Sequence, residues 1–406
     1  MNPVPPGALS GLRVLDLSRI LAGPSATQLL GDLGADVVKV EKPEEGDDTR
    51  KWGPPYVMGN DGIPTDESAY YLSANRNKRS IAIDITSQPG QDLVMRLLAS
   101  ADILVENYKV GGLSKYGLGY EQLKDRFPSL IYCSVTGFGQ TGPYASRPGY
   151  DFLIQGMGGI MSLTGEPRGL PMKVGVGIAD VMTGMYAVAG ILAAVHHRHG
   201  TGRGQHIDIS LLDTQIAWLV NAGTNFLTSG ELPERLGNGH PNIVPYQVFS
   251  TADEPMILAV GNDAQFSRLC QVIELESLAS DERYATNVSR VAHRADLCER
   301  IEARLLSASR GHWLALCEAR GIPCGPVNNL ADVFADPHVV ARGSTLTMPC
   351  EWASGGDIKL LANPLKMSET PASYRIPPPR LNEHEDSILA DWGLQKPAHS
   401  NDPQGI

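Results

Sequence analysis

Cysteine is scarce and scattered in this 406-residue chain: six residues, Cys133, Cys270, Cys298, Cys317, Cys324 and Cys350, with no C-x-x-C pair among them. That spacing supplies neither a disulfide framework nor a zinc site, and it points to reduced thiols. Long apolar runs are also missing. The longest, "MYAVAGILAAV", has 11 residues, short of the roughly 20 that span a bilayer. Positive charge is in deficit, with a formal net charge of -11. General attraction to nucleic acid or anionic membrane is therefore excluded, and a polyanionic ligand needs a local basic patch. The opening "MNPVPPGALSGLRVLDLSR" has neither a basic-then-apolar signal layout nor an Arg/Ser-rich amphipathic presequence. The expectation is a soluble cytoplasmic protein with no membrane or nucleic-acid partner. Finally, neither "LAGPSA" after the first strand nor "GMGGIM" at 156–161 forms G-x-G-x-x-G at a helix start. A nicotinamide enzyme loses its main support.

What is present is alternation. "LRVLDL" and "ADVVKVE" flank the helix-like "ATQLLGDLG", while "ADILVEN" and "SLIYCSV" flank "YEQLKDRFP". Such βαβ patterning predicts an α/β fold, a Rossmann-like large domain on a parallel sheet with ligand loops at the carboxyl ends of its strands. The chain is long enough to bury roughly three quarters of its unfolded surface, in two lobes. One long helix is predicted from Asp180 to His199, ending at Gly200, with His196, His197, Arg198 and His199 over its carbonyl end. That placement reads as a helix terminus rather than a metal site, and no metal is expected. "QHIDISLLD" reads as a strand entering another helix that runs to about 229. After the Gly/Pro-rich "TSGELPERLGNGHPN", a hairpin "VPYQVFSTADEPMILAVG" and helices at 263–274, 294–307 and 311–320 suggest a smaller α+β domain. The expected division is 1–220 for the first part of the large domain, 221–339 for the small one, and 340–406 for a return to the large one.

Asp180 stands alone among apolar neighbours in "GVGIADVMTG", residues 175–184. Aspartate is a favoured N-cap, and its charge suits the positive end of a helix. Glycines at 175 and 177, however, let another molecule approach the backbone. The second reading is therefore a carboxylate nucleophile that the helix terminus keeps ionised.

Several motifs, in order along nearly the whole chain, resemble the class III CoA-transferases, the formyl-CoA/carnitine-CoA transferase family. They are "LSGLRVLDLSRILAGPSATQLLGDLGADVVKVEKPEEGDDTR", "NRNKRSIAIDI", "VENYKVGGLSKYGLGYEQL", "SVTGFGQTGPYASRPGYDF", "GIADVMTGMYA", "GRGQHIDISLLD" and "GIPCGPVNN". "GDDTRKWGPP", "GNGHPNIVPYQVF" and "YYLSANRNKRSIA" look most like the succinate–hydroxymethylglutarate (glutarate) branch and its itaconate and mesaconate relatives.

The resemblance implies transfer of CoA between an acyl-CoA, with succinyl-CoA as expected donor, and a carboxylic acid. Asp180 would pass through a mixed anhydride and an aspartyl-CoA thioester, so CoA is a substrate and no permanently bound cofactor is expected. It also implies an interlocked homodimer. Gly237, Asn238, Gly239 and His240 match a loop whose amides serve the acyl oxyanion, or else form only a domain-crossing turn. Asp151 would orient or protonate an intermediate, or serve as a structural hydrogen-bonding group. Arg19, Lys42, Lys115, Asn75, Arg76, Asn77, Lys78, Arg79, Glu106, Asn107 and Tyr108 match CoA-contacting positions. Arg50, Arg147 and Arg235 are candidates, with His240, for the acid's distal carboxylate.

Two departures narrow the reading. Leu21 replaces a glutamine of the formyl-CoA enzyme before "AGP", which argues against formyl or oxalyl specificity. Tyr150 stands where the related α-methylacyl-CoA racemases carry a histidine base, and a phenol is a poor proton acceptor at neutral pH. A racemase on the same scaffold is thereby disfavoured. A non-catalytic CoA-binding protein would have no need of Asp180.

Overall fold

In a computed structural model, residues 7–394 are described. The outer ends of the expected first and third segments, 1–6 and 395–406, lie outside the described residues. The chain forms two compact units. One comprises the residues up to Gly159, Val174–Trp218 and those from Val340 onward; the other comprises Ile160–Lys173 and Leu219–Val339. The stretch 160–173, read in sequence as part of the large domain, thus clusters with the second unit.

The first unit is built on six parallel strands: β1 (Arg13–Asp16), β2 (Asp36–Glu41), β3 (Lys78–Ala82), β4 (Ile103–Glu106), β5 (Ile131–Thr136) and β6 (His206–Ser210). Their spatial order is β3-β2-β1-β4-β5-β6, the doubly wound arrangement whose order reverses between β1 and β4. β4 and β5 are buried at every residue, as parallel strands covered on both faces must be.

Alternate strand residues enter two cores. Val14, Val37, Ile103, Val105 and Ile131 pack on one face with residues of α1 (Ala22–Asp32) and of the long helix that carries Asp180. Leu15, Val38, Ile81, Leu104 and Tyr132 pack on the other with α2 (Gln88–Leu98). Each fully buried aliphatic side chain contributes about 1.5–3 kcal/mol.

On the first face lie α3 (Asp151–Met157) and α4 (Ile178–Thr201). α4 starts two residues earlier than the pattern predicts and ends later, because Gly202, at φ 72°, supplies the left-handed cap rather than Gly200. It has 24 residues and by length and composition is apolar enough to cross a membrane, unlike any uninterrupted run in the sequence. Here it packs instead: Ala179, Ala187, Ile191 and Ala194 are buried in the unit's core. At Gly184 an added Cβ would lie 2.8 Å from the Ala22 carbonyl oxygen. Only glycine lets α4 approach α1 this closely.

The helix expected to run to about 229 is two, Leu211–Ala217 and Val220–Ser229, with the boundary between units falling at their junction. In the second unit the predicted hairpin, Tyr246–Phe249 with Met256–Ala259, is joined by Cys324–Pro326 into an antiparallel sheet. Phe249, Leu258, Phe266, Leu297 and Trp313 lie in its core.

Candidate active site

The carboxyl ends of β1 and β4 meet where the strand order reverses, and a cleft of about 480 Å3 opens there. Its wall is made of the loops after the strands: Arg19–Ala22 after β1, Lys42 after β2, Ile83–Thr86 after β3, Asn107–Val110 after β4, and Gly137 with Arg147–Tyr150 after β5. Asp180 completes it. Lys109 and Lys115 also line it, so five cations face three acids, Glu41, Asp84 and Asp180. This is the local basic patch that an acidic chain needs for a polyanionic ligand.

The β1 loop is held open by two side chains. Asn107 accepts from the Arg19 N–H at 2.9 Å and donates to the Arg19 carbonyl at 2.6 Å. Asp47 accepts the Ile20 N–H at 3.2 Å. Between these anchors Ile20 adopts φ 76°, a strained conformation for a β-branched residue, which the anchors enforce. Leu21 then follows at the start of α1 and reaches the Asp180 approach: a Cβ on Gly177 would sit 3.2 Å from its Cδ2.

Asp180 is the third residue of α4, not its cap. Gly177 occupies the N-cap position and has no capping side chain. The missing acceptor comes from α3, where Asp151 Oδ1 takes the Ala179 N–H at 2.8 Å. Asp151 Oδ2 is in turn bonded by Gln155 Nε2 at 2.8 Å, one helical turn on.

Burial first, and then the negative charge of Asp151, push the Asp180 carboxyl up to about 7. This corrects the expectation that the helix terminus keeps it ionised. The amide of Ala179, the preceding residue, is already bonded to Asp151, and desolvation outweighs what remains of the terminal field. Among the three cleft acids, Glu41 is held by Arg50 and Ser80 and Asp84 by Thr86. Asp180 has no hydrogen-bond partner among the described residues. A half-buried carboxylate left unpaired on a cationic cleft is the arrangement a nucleophile needs.

Of the expected CoA-contacting residues, Arg19, Lys42, Asn107, Tyr108 and Lys115 line the cleft. The ion pairs of Arg19 with Asp48 and of Lys42 with Glu45 are exposed and weak enough to exchange for a phosphate. Glu106 supports the wall from beneath: it is buried, held up to about 7 by desolvation, and accepts the Tyr108 N–H at 2.8 Å.

The "NRNKR" stretch does not face the cleft, and its assignment to CoA is corrected. Arg76 is clamped by Asp32 and the Leu361 carbonyl, and Asn77 by Asp32 and the Ser373 carbonyl. Buried Lys78 donates to Asp16, Asn75 and the Pro24 carbonyl, while Asn75 donates to the Tyr71 carbonyl. Arg79 bridges Asp36 and Asp391. These donors tie α1 and β2 to the C-terminal segment.

Arg50 is likewise structural. Its guanidinium donates to Glu41, Glu67, Tyr71 and the Pro379 carbonyl in a buried cluster. Arg147 does line the cleft, stacked on Tyr144 and Phe138 with its Cζ 4.6 and 5.3 Å from the ring centroids. It has no carboxylate partner among the described residues. In the second unit, Arg235 donates through Nε to the Glu166 carbonyl and through Nη2 to the Gly169 carbonyl, and it lies outside the lining of the Asp180 cleft.

In the same unit the loop 237–240 is itself a tight turn. Gly237 has φ 58°, and the N–H groups of Gly239 and His240 are bonded to the Leu236 and Tyr246 carbonyls. The amides of Gly237 and Asn238 have no partner among the described residues, so two of the four expected donors remain. Desolvation and the Arg294 charge lower the His240 pKa.

Three residues escaped the sequence reading, among them Lys109 of the cleft wall. Gln155 carried a signal, since Gln and Asp four apart on a helix bond each other. Tyr70 carried none. Its phenol is pushed up to about 12 by burial and by the charges of Asp180, Asp151 and Asp47.

Comparison with known proteins fits this geometry. The family model for CoA-transferase family III matches residues 9–385. A succinate–glutarate CoA-transferase of Agrobacterium fabrum is 52% identical over 390 residues, covering 96% of both chains. The human succinyl-CoA:glutarate CoA-transferase is 42% identical, over 96% of this chain and 87% of that one. A crystal structure of a CAIB/BAIF family protein from Brucella suis superposes with a TM-score of 0.83 at 49% identity, covering 95% of this chain and all of that one.

Proposed function

Because the chain belongs to CoA-transferase family III, we propose that it carries CoA from succinyl-CoA to a dicarboxylic acid, glutarate foremost, on Asp180. The observation that carries this reading is the unpaired Asp180 carboxylate in the wall of a cationic cleft. Its oxygen attacks the thioester carbonyl, and the C–S bond breaks to release CoA thiolate and leave a mixed anhydride. The thiolate then attacks the aspartyl carbonyl, forming an aspartyl-CoA thioester and releasing succinate. The acceptor carboxylate reverses both steps and leaves as the new thioester. No proton or electron is gained overall, so the scheme needs no metal or resident cofactor. Serine or cysteine in place of the acid would give no exchangeable anhydride.

Arg19, Lys42, Lys109 and Lys115 suit the phosphates of CoA, and Arg147 suits the distal carboxylate of the acid. The homodimer and the cytoplasmic setting belong to the same reading, on the strength of the family resemblance.

Incubation of the protein with succinyl-CoA and hydroxylamine or borohydride, followed by peptide mass spectrometry, tests the carrier. Modification is expected on the peptide bearing Asp180 and is expected to vanish in Asp180→Ala. Normal succinyl-CoA:glutarate exchange by Asp180→Ala and Asp180→Asn would sink the assignment.

A further inference from the structure

We propose that Gln155 is the positioning residue that aims Asp180 into the cleft. The inference rests on the nucleophile reading above.

The approach to Asp180, residues 174–179, contains glycines at 175 and 177, and nothing lies within 4 Å of where a Cβ on Gly175 would stand. Such a segment has little of its own to hold it. Gln155, which has no solvent exposure, holds it directly at two points and through Asp151 at a third. Its Oε1 accepts the Val174 N–H at 2.8 Å, and its Nε2 donates to the Val176 carbonyl at 3.3 Å. The same Nε2 donates to Asp151 Oδ2 at 2.8 Å, and Asp151 Oδ1 receives the amide of Ala179, the residue before the nucleophile. One buried amide group thus determines both the path of the chain into α4 and the orientation of the acid that caps it. Only a side chain with a donor and an acceptor on one carbon can do this; Leu can do neither and Glu only half.

A second consequence is electrostatic. Asp151 faces Asp180 from α3, Tyr70 faces it from the turn Ala69–Leu72, and Arg19, Arg147 and Tyr150 share the cleft wall with it. Gln155 is the neutral neighbour of this set. Exchanging it for glutamate takes away the donated bonds that hold the Asp151 carboxylate and the Val176 carbonyl.

The experiment uses the full-length enzyme with succinyl-CoA and glutarate. Gln155→Leu is expected to lower kcat by about tenfold or more, since a displacement near 1 Å at reacting groups can cost about a hundredfold. KM for succinyl-CoA stays within about threefold, because the residue touches no part of the CoA wall. Trapped Asp180 adduct per turnover falls with kcat. Gln155→Glu keeps the length and the Val174 contact and is expected to lose less of kcat than the leucine variant, and thermal unfolding of both variants separates lost positioning from a lost fold.

A kcat within twofold of the parent in folded Gln155→Leu, or a folded Gln155→Glu slower than the leucine variant, would overturn the proposal. If Asp180→Asn is inactive while both Gln155 variants behave as the parent, the positioning role alone fails. If Asp180→Asn turns over normally, the nucleophile reading fails instead.

Discussion

Asp151 Oδ1 accepts the Ala179 N–H at 2.8 Å, so the acid that caps α4 stands one residue from Asp180 and its charge opposes ionisation of Asp180. Cap and antagonist are one side chain. The acid limb of kcat/KM reports the free enzyme, so with Asp180 near 7 activity toward succinyl-CoA should fall about tenfold per pH unit below neutrality. Asp151→Asn keeps an oxygen for the Ala179 amide and removes the charge. Its acid limb should move to lower pH, while the contribution of burial remains. An unchanged limb in this variant would show that Asp151 does not act on Asp180 through its charge.

The same displacement predicts a stability effect of opposite sign to the functional one. A carboxyl held near 7 in the folded protein and near 3.9 unfolded binds its proton more tightly in the native state. Stability is therefore lost as pH rises from about 4 to 7, and the loss is constant above that. Asp180→Asn removes this cost. Thermal unfolding should show the variant equal to the parent near pH 4 and more stable at pH 8, by up to a few kcal/mol after allowance for partial exposure. A variant less stable than the parent at pH 8 would contradict the assigned shift.

Arg50 looks in sequence like a carboxylate receptor and is instead the hub of a buried cluster with Glu41, Glu67 and Tyr71. Burial and the Glu41 charge win over the pull of Arg50 at Glu67, which is pushed up to about 7. Arg50→Met should leave two buried carboxylates uncompensated and cost about 3–5 kcal/mol. Chemical denaturation should show a smaller loss at pH 5 than at pH 8, because protonation relieves the stranded acids. KM for glutarate, corrected for folded fraction, should not move.

The strands and the place of Asp180 are legible in the sequence for local reasons. Strands β4 and β5 are buried on both faces, so they read as mainly apolar runs, interrupted only at Glu106, Ser134 and Thr136. What misleads is long-range pairing. "KRSIA", the edge strand β3, opens on two buried cations, and those cations are satisfied by Asp16, Asp36 and Asp391 far along the chain. The overlapping "NRNKR", residues 75–79, matches a CoA-contacting stretch by resemblance for the same reason: its partners are out of local view. The start of α4 is displaced by two residues for a related reason. Its cap comes from Asp151, 28 positions earlier, so no local cap signal marks Gly177. A helix rule that looks three or four residues away cannot find an acceptor supplied by another helix.

Arg147 is the candidate for reading the second carboxylate of the acceptor. Stacking on Tyr144 and Phe138 restricts the guanidinium without engaging its outer donors, which leaves a preorganised fork for a carboxylate. Arg147→Ala should raise KM for glutarate by about tenfold or more, in line with the roughly 1.5–3 kcal/mol of a hydrogen bond to a charged group. Butyrate, which has the carboxylate that reacts but lacks the distal one, should lose little in the same variant. The contrast between the two acids is the measurement. Equal losses for glutarate and butyrate with a raised KM for succinyl-CoA would move Arg147 to the CoA side of the cleft, among Arg19, Lys42 and Lys115.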